Sequence, residues 1–317
     1  MFHAAAIGDA VLATPVSVKL KQALPNVRIS YMTHASLFPL LKLCTSIDNF
    51  YPYDKTQPVF QVRDKIASLK ADLVVDLSGS LASMVRTAFT APTVLTYKKR
   101  GEKSRRVIHA VDNFLETISS LNLPDPPSLF PSLVPDDQLR QKNAATVGGG
   151  ALIRVAMVPG VGALRPHRAW QEDRWVELAA NVLATGRHEV ILIGGKEELA
   201  LCQRIAEEVG ERCHNLAGKL SLPETAAMLQ QCVATVSGDT GPAHISVAVG
   251  TAVVGIYGPT LPSRSGPYGM SDTTVDVSAS CSCLLAKCCK VSGPSQPGAC
   301  LREVTCSQVL SRLQAFL

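Results

Sequence analysis

Between residues 234 and 260 the chain passes through a strand, a glycine-containing turn, a helix and a second strand: Ala234 to Ser237, Gly238-Asp239-Thr240-Gly241-Pro242, Ala243 to Val249, and Val253 to Tyr257. Two successive strands joined by a helix run parallel, and a parallel sheet is covered by helices on both faces, so this stretch commits the chain to an α/β architecture. Ligands of such open sheets gather outside the carboxyl ends of the strands. The turn at Gly238 to Pro242 sits at such an end, and Gly258-Pro259-Thr260 delivers a second loop to the same edge. Free N–H groups and the dipole at a helix start favour a pyrophosphate there. Asp239 or Thr240 is placed to cap the helix, Gly241 lets backbone approach a ligand, and His244 adds a donor one turn inward. Taken alone, the same residues are equally an ordinary helix cap and a core histidine.

The alternation continues upstream. Met1 to Ile7 reads as a short strand entering the turn Gly8-Asp9, followed by a helical pattern over Ala10 to Leu24. This first strand is abnormally short, which predicts a partly frayed ladder. Further strands are expected at Val27–Met32, Asp72–Asp76 and Val94–Tyr97, with an amphipathic helix over His109–Leu121. A proline-rich linker from Pro124 to Pro135 and the run Gly148 to Gly150 then reset the pattern. Strands at Ile153–Val158 and Glu189–Ile193 and helices at Arg174–Ala184, Leu199–Val209 and Leu222–Gln231 follow. At 317 residues the chain is long enough for two α/β domains, expected at 1–147 and 148–317, with the last helix reaching back onto the first.

Charged residues make up 18% and aromatics 5%, as in globular α/β enzymes rather than disordered chains. The net charge of +5 owes much to Lys98, Lys99, Arg100, Lys103, Arg105 and Arg106, which favours an acidic partner, although such a run also reads as a solvated loop. No nucleic-acid motif accompanies it, so no nucleic acid is expected. With no apolar run of 18 residues and no leader pattern, a cytoplasmic protein is expected, in contact with a membrane surface at most peripherally. The turn Ile7-Gly8-Asp9-Ala10 lacks the Gly-x-Gly-x-x-Gly of a dinucleotide-dependent epimerase or dehydrogenase. Six of ten cysteines crowd the C-terminal part: Cys281, Cys283, Cys288, Cys289, Cys300 and Cys306. Cys281, Cys283, Cys288, Cys289 and Cys300 could make a structural thiolate site for zinc, but Cys281 and Cys283 are one residue apart, not the two of a zinc knuckle, so buried or incidental thiols are the favoured reading and no metal ligand is assigned.

The stretch Ser237 to Pro262 closely resembles glycosyltransferase family 9, the ADP-heptose lipopolysaccharide heptosyltransferases. The likeness extends to Gly8-Asp9-Ala10-Val11-Leu12-Ala13-Thr14-Pro15, to Asp72-Leu-Val-Val-Asp76-Leu-Ser-Gly79 and to Asn215-Leu-Ala-Gly218. It implies a GT-B type fold of two facing Rossmann-like domains with parallel sheets and an interdomain cleft. It further implies an inverting, metal-independent transferase without a cofactor, using a nucleotide-sugar donor, ADP-linked by the family pattern. The acceptor implied is a lipopolysaccharide-core or other acidic, lipid-linked glycan. By the same resemblance Asp9 is the base acting on the acceptor hydroxyl. The donor is assigned to Gly162, Arg168, Glu198, Leu220, Asp239, Thr240, Gly241 and His244. Arg168, two residues before Trp170, stands where the family has lysine; arginine keeps the charge and adds a bidentate fork. Departures concentrate in the acceptor half: Ser78 stands for a glutamine, Ala82 for a basic residue and His3 for an arginine. A non-catalytic sugar-nucleotide or glycan binder on the same fold is the competing reading.

Overall fold

The computed structural model describes residues 1–4, 6–98, 107–125, 128–147, 152–293 and 296–317. The expected basic cluster beyond Lys98, Pro126, Pro127 and the run Gly148 to Gly150 lie outside them. Contacts divide the chain into two compact units, Met1–Val134 and Pro135–Leu317.

In the first unit β1 (Ser30–His34) pairs in parallel with β2 (Asn49–Tyr53), and β3 (Leu73–Asp76) with β4 (Thr93–Thr96). The two pairs are joined by the N-terminal segment, where Phe2 bridges Met32 on one side and Asp76 on the other. That short strand is bonded on both edges and does not fray: Phe2 N–H donates to Val75 O at 2.9 Å, Leu77 N–H to Phe2 O at 2.9 Å, and His3 N–H to Met32 O at 3.0 Å. Phe2 also packs edge-on against Tyr53, ring centroids 5.1 Å apart, within a core that includes Met32, Val62, Ile66 and Val74. β1 begins at Ser30 rather than Val27, because Val27 N–H is spent on Leu24 O in the turn that ends the preceding helix. β2 went unseen in the sequence: Asn49-Phe-Tyr-Pro-Tyr53 carries a proline and no apolar alternation, and it is a strand because it pairs with β1.

The second unit is one six-stranded parallel sheet. Its strands are β5 (Ile153–Val158), β6 (His188–Leu192), β7 (Cys213–Asn215), β8 (Ala234–Ser237), β9 (Ala252–Tyr257) and β10 (Val275–Asp276), in spatial order β10-β9-β8-β5-β6-β7. Chain order reverses between β5 and β8, so the loops leaving these two neighbours turn in opposite directions and open a crevice at the carboxyl edge. Val155, Met157, Leu178, Val190 and Val236 are fully buried, as is Trp175 on the helix Glu172–Ala184. Truncating Trp175 to alanine should cost about 3–5 kcal/mol.

The division between units falls before the helix Asp137–Val147, not after it. Arg140 and Asn143 on that helix donate to Gln230 Oε1 at 3.3 Å and Glu224 O at 2.7 Å, tying it to the second unit. The last helix, Cys306–Leu313, buries Val309 and Leu313 in the second unit's core. Its hydrophobic positions fit there beside Trp170, whose Nε1–H donates to Val304 O at 3.0 Å.

Candidate functional site

At the carboxyl edge between β5 and β8 two of the expected donor residues meet. Arg168 lies in the loop after β5 and Asp239 in the turn after β8, and Arg168 Nη1 donates to Asp239 Oδ2 at 2.7 Å. The two side chains are 26% and 11% exposed, so the pair is largely shielded from bulk water and its geometry is fixed. Asp239 therefore holds the guanidinium rather than facing an anion itself; a carboxylate would repel a phosphate, while an oriented arginine attracts one. Tyr257, fully buried at the end of β9, is held well above the usual phenol range by burial, with the Asp239 charge adding to the shift. Its hydroxyl donates to Ser265 O at 2.9 Å.

Behind this pair starts the helix Gly241–Ala248. Thr240 occupies the N-cap position without a side-chain cap bond to the helix; its hydroxyl meets Ser237 Oγ at 2.8 Å instead. The first N–H groups of the helix are thus not consumed by the cap residue's side chain, which leaves donors and a positive dipole end beside Arg168. Pro242 at the start costs no hydrogen bond there. His244 is buried one turn inward. Gly238 packs close to the backbone of Arg168: a Cβ at that position would meet Arg168 O at 3.5 Å.

Glu198 and Gly162 are joined as well. Glu198 Oε1 accepts from Gly162 N–H at 3.1 Å and Oε2 from Gly195 N–H at 2.8 Å, so one carboxylate ties the β5 loop to the β6 loop. The fit is tight, since a Cβ on Gly160 would lie 1.9 Å from Glu198 Cγ. Glu197 Oε2 likewise accepts from Ala163 N–H at 3.3 Å. Leu220 is half-buried in the loop after β7, between Lys219, whose Nζ donates to Asn215 O at 2.8 Å, and Ser221, which caps the helix Leu222–Gln230. Six of the eight expected donor residues thus lie in the segments that follow strands of one sheet, and Gly241 and His244 lie in the first turn of the helix Gly241–Ala248.

Buried beside Arg168 is His167, whose ring is held below the usual imidazole range by burial and then by the charges of Arg168 and Arg165. Gly298 N–H donates to its backbone oxygen at 3.0 Å, bringing the cysteine-bearing segment under the Arg168 loop. Cys283, Cys289 and Cys300 are buried there, and Lys290 N–H donates to Cys283 Sγ at 3.2 Å. Among the described residues no group of three or more His, Cys, Asp or Glu side chains is arranged to hold a metal ion.

In the first unit Asp9 is exposed in the opening turn of the helix Ile7–Leu12, which follows the short central strand at its carboxyl end. Ala6 is that helix's N-cap residue, so Asp9 is not its cap. His3 is buried: its Nδ1 lies 2.9 Å from Tyr31 Oη, its ring packs edge-on to Phe114, and burial lowers its pKa to about 3. It is therefore a neutral core residue and does not replace the charge of an arginine. Ser78 Oγ accepts from Ala4 N–H at 2.8 Å. Asp76, at the end of β3, is fully buried and has its pKa raised by burial, while Oδ1 accepts from Ser78 N–H at 2.9 Å.

One cation escaped the sequence reading. Arg86, on the helix Leu81–Thr87, is 91% buried, its guanidinium lies 5.5 Å from the ring centroid of Tyr53 at the carboxyl end of β2, and it makes no ion pair among the described residues. It lies four residues beyond Ala82, one turn further along the same helix face. The helical period was the available signal.

Comparisons with known proteins show the family and the fold. Residues 59–293 match the model of glycosyltransferase family 9 (heptosyltransferase). Lipooligosaccharide heptosyltransferase 2 of Campylobacter jejuni is 24% identical over 323 residues, covering 97% of this chain and 95% of that protein. Lipooligosaccharide heptosyltransferase 2 of Haemophilus influenzae is 30% identical over 138 residues, 43% of this chain and 39% of that protein. The structure of E. coli ADP-heptose lps heptosyltransferase II superposes with a TM-score of 0.78 at 19% identity, covering 99% of this chain and 97% of that one, which fixes the fold as the GT-B type with two Rossmann-like units. The chain belongs to glycosyltransferase family 9 and is a glycosyltransferase.

Proposed function

We propose that this chain transfers heptose from ADP-heptose to a hydroxyl of a lipopolysaccharide-core acceptor, with inversion at the anomeric carbon. The observation that carries the donor half is the Arg168–Asp239 pair at 2.7 Å, set beside the start of the helix Gly241–Ala248 at the strand-order reversal. The donor sugar follows from the relatives' activity and from the ADP-heptose named for the E. coli structure.

In the reaction the acceptor oxygen forms a bond to the anomeric carbon as the bond from that carbon to the β-phosphate oxygen breaks. Asp9 takes the acceptor proton, help that is typically worth about 10²–10⁴-fold. The departing ADP gains negative charge. Arg168 and the N–H groups opening the helix at Gly241 are positioned to stabilise it, with His244 behind them, the role metal ions play in other transferases. Glu198, Gly162 and Leu220 line the same edge and suit the nucleoside, Glu198 as an acceptor for ribose hydroxyls once its backbone bonds yield. On the acceptor side Arg86 supplies the cation that Ala82 and His3 do not, and suits a phosphate or carboxylate of the core glycan. No helix among the described residues is long and apolar enough to cross a membrane. The reading of the acceptor as a lipid-linked glycan supports a reaction at the cytoplasmic face of the inner membrane.

The test is transfer from ADP-heptose to a deacylated core acceptor, read by mass spectrometry, with and without saturating EDTA. The proposal expects heptose addition at equal rates in both. Product that forms only with added magnesium or manganese would contradict the roles given to Arg168 and the helix terminus, and no product from ADP-heptose would reassign the donor.

A further inference from the structure

The loop that leaves β5 carries two arginines on one short turn. Pro166–Arg168 is a 3-10 helix with Arg165 as its N-cap residue, and Arg168 N–H donates to Arg165 O at 2.9 Å. The turn is held from both sides: Arg165 N–H donates to Gly162 O at 3.3 Å, and Gly162 N–H donates to Glu198 Oε1 at 3.1 Å. Gly162 sits at φ +74°, a left-handed conformation that glycine adopts without a Cβ penalty. Positions three apart on a 3-10 turn fall on one side of it. Arg165 and Arg168 are both partly exposed, whereas His167 between them is fully buried and anchors the turn. The charges of both arginines reach the His167 ring, which burial above all keeps neutral.

The charge at this edge does not balance for an anionic ligand. Arg168 is paired with Asp239 at 2.7 Å, so the pair is neutral as a whole. Glu197 and Glu198 add two carboxylates on the same loops, accepting from Ala163 N–H at 3.3 Å and from Gly162 and Gly195 N–H at 3.1 and 2.8 Å. The start of the helix Gly241–Ala248 contributes only roughly half a positive charge. A diphosphate brought here would meet an excess of like charge, which is costly unless another cation stands free. The basic side chains that follow β6, β7 and β9 do not fill that place. Lys219 Nζ donates to Asn215 O at 2.8 Å, and Arg264 is not free. Lys196 lies over the loop after β7, where a Cβ on Gly218 would be 3.2 Å from its Cα, on the side of β6 away from β8. Arg165 leaves β5 next to the strand-order reversal and makes no ion pair or side-chain hydrogen bond among the described residues.

We propose that Arg165 is a further donor-binding residue, the one that brings an unpaired positive charge to the diphosphate beside the neutral Arg168–Asp239 pair. The inference rests on the reading of this edge as the nucleotide-donor site and deepens it: Asp239 orients Arg168, and Arg165 supplies the surplus charge. A guanidinium offers a diphosphate both charge and a two-pronged set of donors.

The experiment is calorimetric titration of the full chain with ADP, AMP and adenosine, for the parent, Arg165→Ala, Arg165→Lys and Arg168→Ala, at low and at high NaCl. Arg165→Ala is expected to weaken ADP at least tenfold, AMP less than ADP, and adenosine by no more than twofold. The ADP loss should shrink at high NaCl, because the charge is only partly buried and salt screens it. Arg165→Lys should recover most of the affinity, since it keeps the charge and gives up only the fork. Those two readouts would not move if Arg165 merely shaped the loop. An Arg165→Ala that binds ADP within twofold of the parent overturns the inference, and so does an equal loss for ADP and adenosine, which would assign the residue to the folding of the loop. Arg168→Ala keeps the two readings apart: if it loses ADP while Arg165→Ala does not, the donor site stands and only the role of Arg165 falls.

Discussion

The two units hold their chemistry in opposite ways. In the second, Arg168 is locked to Asp239, Glu198 is bonded to two loops at once, and the helix Gly241–Ala248 starts beside the first pair, so several of the expected residues are held in place by bonds to one another. In the first, Asp9 is exposed on a helix of six residues, and the positions where the family carries further polar groups hold a neutral buried His3, a serine bonded to Ala4 and an alanine. On the proposed reading, the nucleotide end of the donor rewards a preorganised set of groups, which the second unit supplies. The lesson is that the donor half can be read by family likeness, while the acceptor half has to be read from the side chains actually present.

The comparison breaks most easily at Asp9. Asp9→Asn should lower single-turnover transfer about 10²–10⁴-fold, the usual worth of a general base. Transfer within a few-fold of the parent would remove Asp9 from the mechanism and leave the first unit without its base.

Arg86 sharpens the acceptor side. Arg86→Ala should raise the KM for a phosphorylated acceptor about tenfold, as expected for loss of a charge-assisted hydrogen bond, while KM for ADP-heptose stays unchanged. Arg86→Lys should recover part of the loss. Equal changes in both KM values would show Arg86 to be only a packing partner of Tyr53.

The smallest effect concerns stability in the second unit. Glu224 is held at a pKa of about 2, below its ordinary 4.5, chiefly by its bond to Lys142 and then by Ser221. A carboxyl depressed on folding contributes stability that is complete above pH 4.5 and is lost as pH falls toward 2. Lys142 is largely exposed, so Glu224→Gln should cost only about 1 kcal/mol at pH 7 in urea unfolding, a difference that shrinks as pH falls through 2. A constant difference across that range would place the effect in the capping bond of Ser221 instead.

Much of this was legible in the sequence. The second sheet is built of uninterrupted apolar runs such as Ile153–Val158 and Ala252–Tyr257, and buried parallel strands announce themselves that way. β2 and the three-residue β7, Cys-His-Asn, were not legible because partners, not composition, make them strands. Arg168 and Asp239 were both named from the sequence as donor residues, yet their pairing was not, since a contact between two loops from neighbouring strands leaves no periodic trace. Arg86 was passed over because attention fell on Ala82, where a charge was missing, and not on the next turn.

The central claim, that the second unit carries the diphosphate and the first unit the base, is tested most directly by calorimetric ADP affinity of Asp9→Asn and Arg168→Ala measured side by side, with adenosine as the control ligand. The account predicts that Asp9→Asn binds ADP within about twofold of the parent. Arg168→Ala should lose about 1.5–3 kcal/mol for ADP and little for adenosine. Equal losses in the two variants, or an Arg168→Ala that binds ADP as the parent does, would contradict it.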